Sequence, residues 1–274
     1  MSNIKICIPS YKRPNEVIAL DKVTPENQAK YFWLCVRDEE LEQYKENYPH
    51  CNYLNLGSEW LPTDNVRETR QRINEMMSGK ILVIDDDCTL HRTKVVIQDW
   101  KGKPFHYMRM DSTTNTNDVL EELLEYMDTL MDEFPFGGIR NISHPRDARK
   151  YFPYRMNQVC VLAVWFNLDM FDTNEMSYRH GPEMSEDTYM TLKWFDKGYD
   201  IPQICLWNAK NAKKVNSQEG GCSSLTNRGE LHDASTRRLV ELFPHLCKIK
   251  KSDAYGGTLT VAIRFKRNLS QKLF

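Results

Sequence analysis

Short apolar runs alternating with polar, helix-periodic segments make up the first half of the chain. Residues 4–9 form a β-branched run stopped at Pro9-Ser10, and Arg13-Pro14 turns the chain into a helix-like stretch over 16–20. Residues 31–36 read as a second strand, closed by the polar Arg37-Asp38-Glu39-Glu40. A helical 39–47 and a strand around 52–56 follow, ending at Gly57-Ser58. Asn65 with Glu68 three residues on is an N-cap signature, and Val66, Ile73, Met76 and Met77 recur behind it at helical spacing. Gly79 closes that helix, and Lys80–Ile84 is a buried strand running straight into Asp85-Asp86-Asp87. Such alternation predicts an α/β sheet.

The second half is less regular. Helices are expected over 119–132 and 185–197, the latter stopped by Gly198, with a buried strand over 159–165 between them. The tail holds a Gly220-Gly221 loop, a helix near 235–243 and a basic end over 264–272. No repeat, low-complexity tract or linker divides the 274 residues, so a single domain with a C-terminal elaboration is expected. A content of 41% hydrophobic and 27% charged residues supports a sizeable core and excludes a disordered or collagen-like chain. Lys and Arg number 37 against 38 Asp and Glu, which excludes a wholly basic nucleic-acid coat but not a local basic face.

Eight cysteines stand singly, with no C-x-x-C pair. That pattern predicts reduced thiols in a cytoplasm-like compartment and argues against a zinc ribbon. The run over 4–9 is interrupted by Lys5 and is too short for a secretory core, and the longest apolar stretch, 159–170, is well below the roughly 20 residues that span a bilayer. A cytoplasmic protein without a membrane segment is expected.

The strongest chemical feature is Ile81-Leu82-Val83-Ile84-Asp85-Asp86-Asp87. Three adjacent carboxylates at the end of a buried strand repel one another and call for a positive partner. A divalent cation with hard oxygen ligands answers that need, and Mg2+ commonly joins one or two carboxylates to substrate phosphates. Ligands of open α/β sheets also bind beyond the carboxyl ends of the strands. A solvated acidic turn is the plainer alternative. Two metal-phosphate chemistries use such a segment: a nucleotide-sugar transferase with a D-x-D, or an aspartyl-phosphate phosphatase with D-x-D-x-T. The phosphatase normally places that strand first and has a Gly-Asp motif downstream, whereas here some eighty residues precede the triplet and no Gly-Asp occurs. At the end of the first strand, Tyr11 offers a ring to stack a base, and Lys12 and Arg13 offer cations for phosphate. In the helix before the triplet, Arg70 lies one step from the apolar stripe and can turn inward, while Arg72 reads as a solvated position.

Pro9-Ser10-Tyr11-Lys12-Arg13-Pro14, then Arg70 fifteen residues before Asp85, then Asp85-Asp86-Asp87, together resemble the GT-A glycosyltransferase pattern. Gly181-Pro182-Glu183-Met184-Ser185-Glu186-Asp187, followed by Gly198-Tyr199, is similar to the acidic element with which that family faces its acceptor. The resemblance covers roughly residues 4–200. It implies a GT-A-like, Rossmann-type mixed sheet flanked by helices, with residues 1–110 as the nucleotide-sugar half and 111–274 as the acceptor half. It further implies that Pro9, Tyr11, Arg13, Asp38, Arg70, Asp85 and Asp86 bind the nucleotide-sugar. Asp85, Asp87 and a C-terminal histidine, His232 or alternatively His245, would hold Mn2+ or Mg2+. Glu186 or Asp187 would serve as base or acceptor-holding group. Both lie in a first helical turn, where the helix dipole favours the charged form.

More narrowly, the chain is similar to phage-encoded transferases that glycosylate hydroxymethylated pyrimidines in DNA. These include hydroxymethylcytosine glucosyl- and arabinosyltransferases and the glycosyltransferases associated with base-oxidising dioxygenases. This implies a UDP-sugar donor, a 5-hydroxymethylcytosine acceptor in DNA, and the cytoplasm of an infected bacterium. Other acceptors on the same fold, a polysaccharide or a protein, stay open, as does a DNA-binding module with a vestigial acidic site. Two basic groups bear on the choice. Arg140, Arg146, Arg149, Lys150 and Arg155 are interleaved with Tyr151, Phe152 and Tyr154, while Lys210, Lys213, Lys214, Lys248, Lys250, Lys251, Arg264, Lys266 and Arg267 crowd the C-terminal third. Basic residues mixed with aromatics suit a strand carrying an unstacked base; a solubilising surface is the alternative.

Overall fold

The computed structural model describes residues 3–60, 65–100, 103–141, 146–147, 153–211, 227–252 and 258–265. Four parallel strands form its first half: β1 (Lys5–Pro9), β2 (Phe32–Val36), β3 (Asn52–Asn55) and β4 (Lys80–Ile84), in the order β3-β2-β1-β4. Between them run α1 (Pro25–Tyr31), α2 (Leu41–Asn47) and α3 (Val66–Met76). A long hairpin follows, β5 (Cys88–Trp100) and β6 (Lys103–Met110), and then α4 (Thr116–Met131), whose N-terminus is closed by a capping box between Asn115 and Asp118. The sheet is completed by β7 (Phe136–Asn141), β8 (Arg146–Asp147), β9 (Tyr154–Met156), β10 (Ala163–Asn167) and β11 (Pro202–Asn211). Its order continues β4-β10-β7-β11-β5-β6-β8, with β9 beside β11. Helices α5 (Glu186–Asp196) and α6 (Arg228–Leu242) and a separate ribbon, β12 (Cys247–Lys251) with β13 (Leu259–Ile263), finish the chain.

This is the mixed, helix-flanked sheet expected from the sequence. The central strands read as unbroken apolar runs because both of their faces are covered. Ile6 and Ile8, Leu34 and Val36, and Leu82 and Ile84 pack with Leu120, Leu123 and Met127 of α4 on one side. Cys7, Cys35, Ile81 and Val83 pack with Ile73, Met190, Trp194 and Leu239 on the other. The antiparallel entry of β10 beside β4 brings Ala163 opposite Ile84, so the turn before β10 shares the edge where β1, β2 and β4 end. Asp85 is pinned there by an N–H donated to the Leu162 carbonyl at 3.0 Å.

Several expectations need correction. The helix over 16–20 is only a 3-10 turn, Ile18–Leu20, tied to the acidic edge where Ala19 donates to the Asp86 carbonyl. The strand over 159–165 starts at Ala163, because Leu162 adopts a left-handed conformation (φ 65°) that breaks extension. Met76, counted in the apolar stripe, is exposed at the last turn of α3. The β5–β6 hairpin went unrecognised because its outer stretch has no consistently buried face: Val95 and Ile97 stand exposed among charged neighbours, and strict alternation is lost. Helix α6 begins seven residues before the expected start at 235. The Gly220-Gly221 loop, Lys213, Lys214, Arg149, Lys150, Tyr151, Phe152, Lys266 and Arg267 lie outside the described residues.

Gly137 shows how tightly the sheet is closed. It pairs with Trp165 across β7 and β10, and a Cβ there would overlap the indole and come within 2.6 Å of the Pro202 carbonyl oxygen. Gly137→Ala is expected to cost about 1–3 kcal/mol by overpacking and to lower the melting temperature by about 3–10 °C. A thermal melt within a degree of wild type would contradict this packing.

Candidate active site

The Asp85-Asp86-Asp87 turn sends its three carboxylates in different directions. Asp85 meets Arg70, with Nη2 to Oδ1 at 2.8 Å. Asp86 is 6% exposed and both of its oxygens are bonded: Arg13 Nη1 donates to Oδ1 and the Ser10 hydroxyl to Oδ2, each at 2.6 Å. The Tyr44 hydroxyl in turn donates to Ser10 Oγ at 2.8 Å. Asp87, partly exposed, accepts from Asn211 Nδ2 at 3.0 Å and has no ionic partner among the described residues. Asp86, expected at the nucleotide-sugar, thus anchors the loop after β1. Arg13, expected there too, is held as its counter-ion. Adjacent strand-end residues alternate in direction, so a triplet at a core boundary must turn one member inward.

Arg70 is the centre of the site. It is 2% exposed and reaches three acidic side chains from two other elements: Asp85 at the end of β4, and Asp187 (Nη1–Oδ1 2.6 Å) and Glu186 (Nε–Oε1 3.5 Å) in the first turn of α5. The inward turn expected of Arg70 is present, but its guanidinium is occupied by carboxylates instead of presenting a free cation to a diphosphate. The helix dipole is not the dominant influence on Asp187 of the α5 pair. Burial outweighs both dipole and Arg70, and holds its carboxyl well above the usual carboxylate range. Asp85 is likewise pushed up to about 7, first by burial and then by Asp87, Glu186 and Asp86, against the pull of Arg70.

Five carboxylates therefore meet two guanidiniums, Arg70 and Arg13, at this edge. The surplus of negative charge and the hard oxygens of Asp85 and Asp87 fit a divalent cation. The histidines do not complete such a site. His232 is buried in α6 with Nδ1 3.9 Å from Asp233, and no group of three His, Cys, Asp or Glu side chains able to hold a metal forms among the described residues. His245 pairs with Asp196 at 2.7 Å. His232 lies beside its neighbour Asp233 in α6, and His245 meets the last residue of α5.

A second feature occupies the ends of β1, β2 and β3. Tyr11 lies in the loop after β1 that Ser10 and Arg13 fasten to Asp86. The Arg37 guanidinium sits 4.0 Å from the Tyr11 ring centroid and 3.9 Å from that of Trp60, and Arg72 covers Trp60 at 4.2 Å. Aromatic and cation alternate along this ladder, each contact adding about 0.5–1 kcal/mol at such half-exposed sites. Arg72, expected to be solvated, also donates to the carbonyls of Leu56 and Glu59 and to Glu68. Arg37 and Trp60 were missed; their signal was position alone, one just past β2 and the other just past the Gly57-Ser58 turn. Asp38 is exposed beside them and accepts from Asn55 Nδ2 at 2.6 Å. Pro9 closes β1, paired with Cys35.

The basic groups divide as well. Arg140 is 2% exposed and packs against Met108, so it leaves the expected surface cluster, and Arg155 donates to Gln203. No helix among the described residues is long and apolar enough to cross a membrane.

A family model described as TET-Associated Glycosyltransferase matches residues 4–221. No curated protein matches the sequence. Among solved structures, Staphylococcus aureus TarS 1-349 in complex with UDP-GlcNAc is similar at 13% identity and a TM-score of 0.48, over 88% of this chain and 66% of that one. GalNAc-T7 with UDP, GalNAc and Mn2+ is similar at 10% identity and a TM-score of 0.49, over 88% and 48%. A putative nucleotide-diphospho-sugar transferase from Desulfovibrio desulfuricans G20 is similar at 11% identity and a TM-score of 0.38, over 74% and 80%. The chain spans less than two thirds of the length of the TarS and GalNAc-T7 chains, and likenesses this distant place no residue of its site.

Removing the Arg70 charge leaves Asp85, Glu186 and Asp187 crowded without a counter-ion. Arg70→Met is expected to destabilise by about 3–5 kcal/mol near neutral pH. The sign of its pH dependence follows from the raised carboxyls. The folded state already binds more protons than the unfolded chain between about pH 4 and 7, so stability falls as pH rises through that window. Loss of Arg70 steepens the fall. Melts at pH 5 and pH 8 should show the variant far closer to wild type at pH 5; an equal gap at both would contradict the assignment.

Proposed function

The chain belongs to the TET-associated glycosyltransferase family, and on that premise we propose that it moves a sugar from a UDP-sugar to the hydroxymethyl group of 5-hydroxymethylcytosine in DNA. The observation that carries the reading is the acidic edge at the end of β4, with surplus negative charge on one side and the Tyr11–Arg37–Trp60 ladder on the other. Base, diphosphate and sugar of the donor would lie along it in that order. Tyr11 and Asp38 position the nucleoside, with Pro9 shaping the loop between them. Asp85 and Asp87 would hold a divalent cation, Mn2+ or Mg2+, which when bound neutralises charge on the diphosphate leaving group. Arg13 and Asp86 act behind Tyr11 by fixing its loop, and Arg70 fixes Asp85 against α5. His232 enters this reading only if the donor-bound state brings it to the cation.

In the transfer, the bond between the sugar's anomeric carbon and the diphosphate oxygen breaks, and its electron pair leaves with UDP. The hydroxymethyl oxygen forms the new bond to that carbon, through an oxocarbenium-like state of the kind known from glycoside hydrolysis. Its proton passes to Asp187 or Glu186 if configuration inverts; if it is retained, the proton passes to the departing diphosphate oxygen and the pair stabilises the developing positive charge. The acceptor follows from the family's association with TET oxygenases, which is an association with modified pyrimidines in DNA.

Nucleoside mass spectrometry tests the reading, after incubation of the protein with Mn2+ or Mg2+, a panel of UDP-sugars and hydroxymethylcytosine-containing DNA. A hexose or pentose gain on the modified base is expected. Cation-dependent UDP release without that gain would discard DNA as the acceptor, and the absence of both signals would overturn the transferase reading itself. Asp87→Asn should lower turnover at least a hundredfold, the range expected when charge stabilisation at a leaving group is lost. Its melting temperature should stay within about 2 °C of wild type, as for a surface substitution that breaks one exposed hydrogen bond. Wild-type turnover in this variant would sink the cation assignment.

A further inference from the structure

We propose that the C-terminal β12–β13 ribbon is a docking surface for the phosphate backbone of duplex DNA, a step that rests on the DNA-acceptor reading above. The ribbon has two unlike faces. Register places Cys247 opposite Ile263 and Ile249 opposite Val261; Val261, Ile263 and the following Phe265 pack toward the core, where Phe265 meets Phe195 edge-on at 5.0 Å. The other face pairs Lys248 with Ala262 and Lys250 with Thr260, and Arg264 continues it two residues beyond Ala262. Lys248, Lys250 and Arg264 are exposed, and their side chains make no ion pair or hydrogen bond among the described residues. Across from them stand only small side chains, which leaves the face flat. Lys248 and Lys250 are about 6.7 Å apart along the strand, so they meet separate phosphates instead of competing for one.

Charge is concentrated here against the trend of the chain. Residues 246–274 carry seven Lys and Arg and one Asp, a net +6, within a protein whose formal charge is −1. An open cleft of about 840 Å3 extends the track past the ribbon, bringing Arg264 and Phe265 together with Arg155 and Gln158. Unneutralised cations on a flat, solvated ribbon match a regular polyanion, because neutralising phosphates releases condensed counter-ions and gives affinity without sequence preference.

The ribbon is also tied rigidly to the candidate active site. Asp233 in α6 accepts from the backbone N–H of Thr258 and Leu259 and from the Thr258 hydroxyl, clamping the start of β13. Two residues on, the Ser235 hydroxyl accepts from the Met184 N–H at 3.1 Å, just before Glu186 and Asp187 open α5. Helix α6 thus couples a phosphate-binding face to the two carboxylates that meet the acceptor hydroxyl.

The test is fluorescence anisotropy with a labelled duplex of unmodified cytosine, titrated between about 50 and 200 mM salt. The probe compares the full chain with the Lys248→Ala/Lys250→Ala/Arg264→Ala variant, and turnover on hydroxymethylcytosine DNA is measured alongside. The variant should bind at least tenfold more weakly at the low-salt end. Its slope of log K against log salt should be shallower by about 3, at about 0.9 per phosphate contact. KM for modified DNA should rise while cation-dependent donor hydrolysis and melting temperature stay at wild-type values. An unchanged slope in a variant of a DNA-modifying wild type overturns the ribbon and leaves the acceptor intact. A wild type that neither binds nor modifies DNA overturns the acceptor reading and the ribbon together, and binding to phosphatidylserine-containing vesicles in place of DNA overturns the ribbon in favour of a membrane surface.

Discussion

The buried guanidinium of Arg70 ties the end of β4 to the start of α5, and the geometry of the acidic edge depends on it. Asp85 belongs to the strand that leads into the acidic triplet; Glu186 and Asp187 belong to a helix a hundred residues later in the chain. Without a shared cation these carboxylates would repel one another, and their approach would have to be relieved by protonation or by distance. With it they converge, yet the single positive charge does not balance them, as the upward displacement of Asp85 and Asp187 makes plain. The fold therefore presents a region that is held together but still short of positive charge. On the proposed reading, a divalent cation would supply that charge and bind the donor's diphosphate there.

The rest of the structure serves this edge. The parallel β3-β2-β1-β4 order brings the ends of β1, β2 and β4 side by side, so the Tyr11 loop, Arg37 and the triplet become neighbours although they are far apart in sequence. Asp86 reads as a nucleotide-sugar contact in the sequence, but its buried bonds to Arg13 and Ser10 make it the fastener of the loop after β1 that carries Tyr11. On the acceptor side, α6 joins the ribbon to the loop before α5 through Asp233 and Ser235. Arg70 thus joins the end of β4 to the first turn of α5.

Much of this was legible in the sequence where the physical signal was local. The strands β1, β2 and β4 are short apolar runs, β3 is bounded by the Gly57-Ser58 turn, the helix α3 carries its Asn65 cap, and Lys80–Ile84 leads visibly into three aspartates. Arg70 could be placed near the core from its offset to the apolar stripe. What the sequence concealed depended on tertiary partners. Arg140 reads as one of a surface cluster until its burial beside Met108 is seen, and Arg72 reads as solvated until Trp60 is found beneath it. Asp85, Asp86 and Asp87 are chemically alike in sequence, and only their surroundings give them different tasks. His232, implied as a ligand by the resemblance, is buried in α6 with Nδ1 3.9 Å from Asp233.

On the proposed reading, this edge lacks positive charge, a divalent cation supplies it, and that cation binds the diphosphate of the donor nucleotide. Isothermal titration of UDP into the protein, with and without Mn2+, tests it most directly. If Asp85 and Asp87 hold the cation against the diphosphate, Mn2+ must tighten UDP binding, and UDP must tighten Mn2+ binding by the same factor, as linkage requires. A coupling of tenfold or more is the expected result. UDP affinity that is indifferent to Mn2+, or no UDP binding in its presence, would contradict the account.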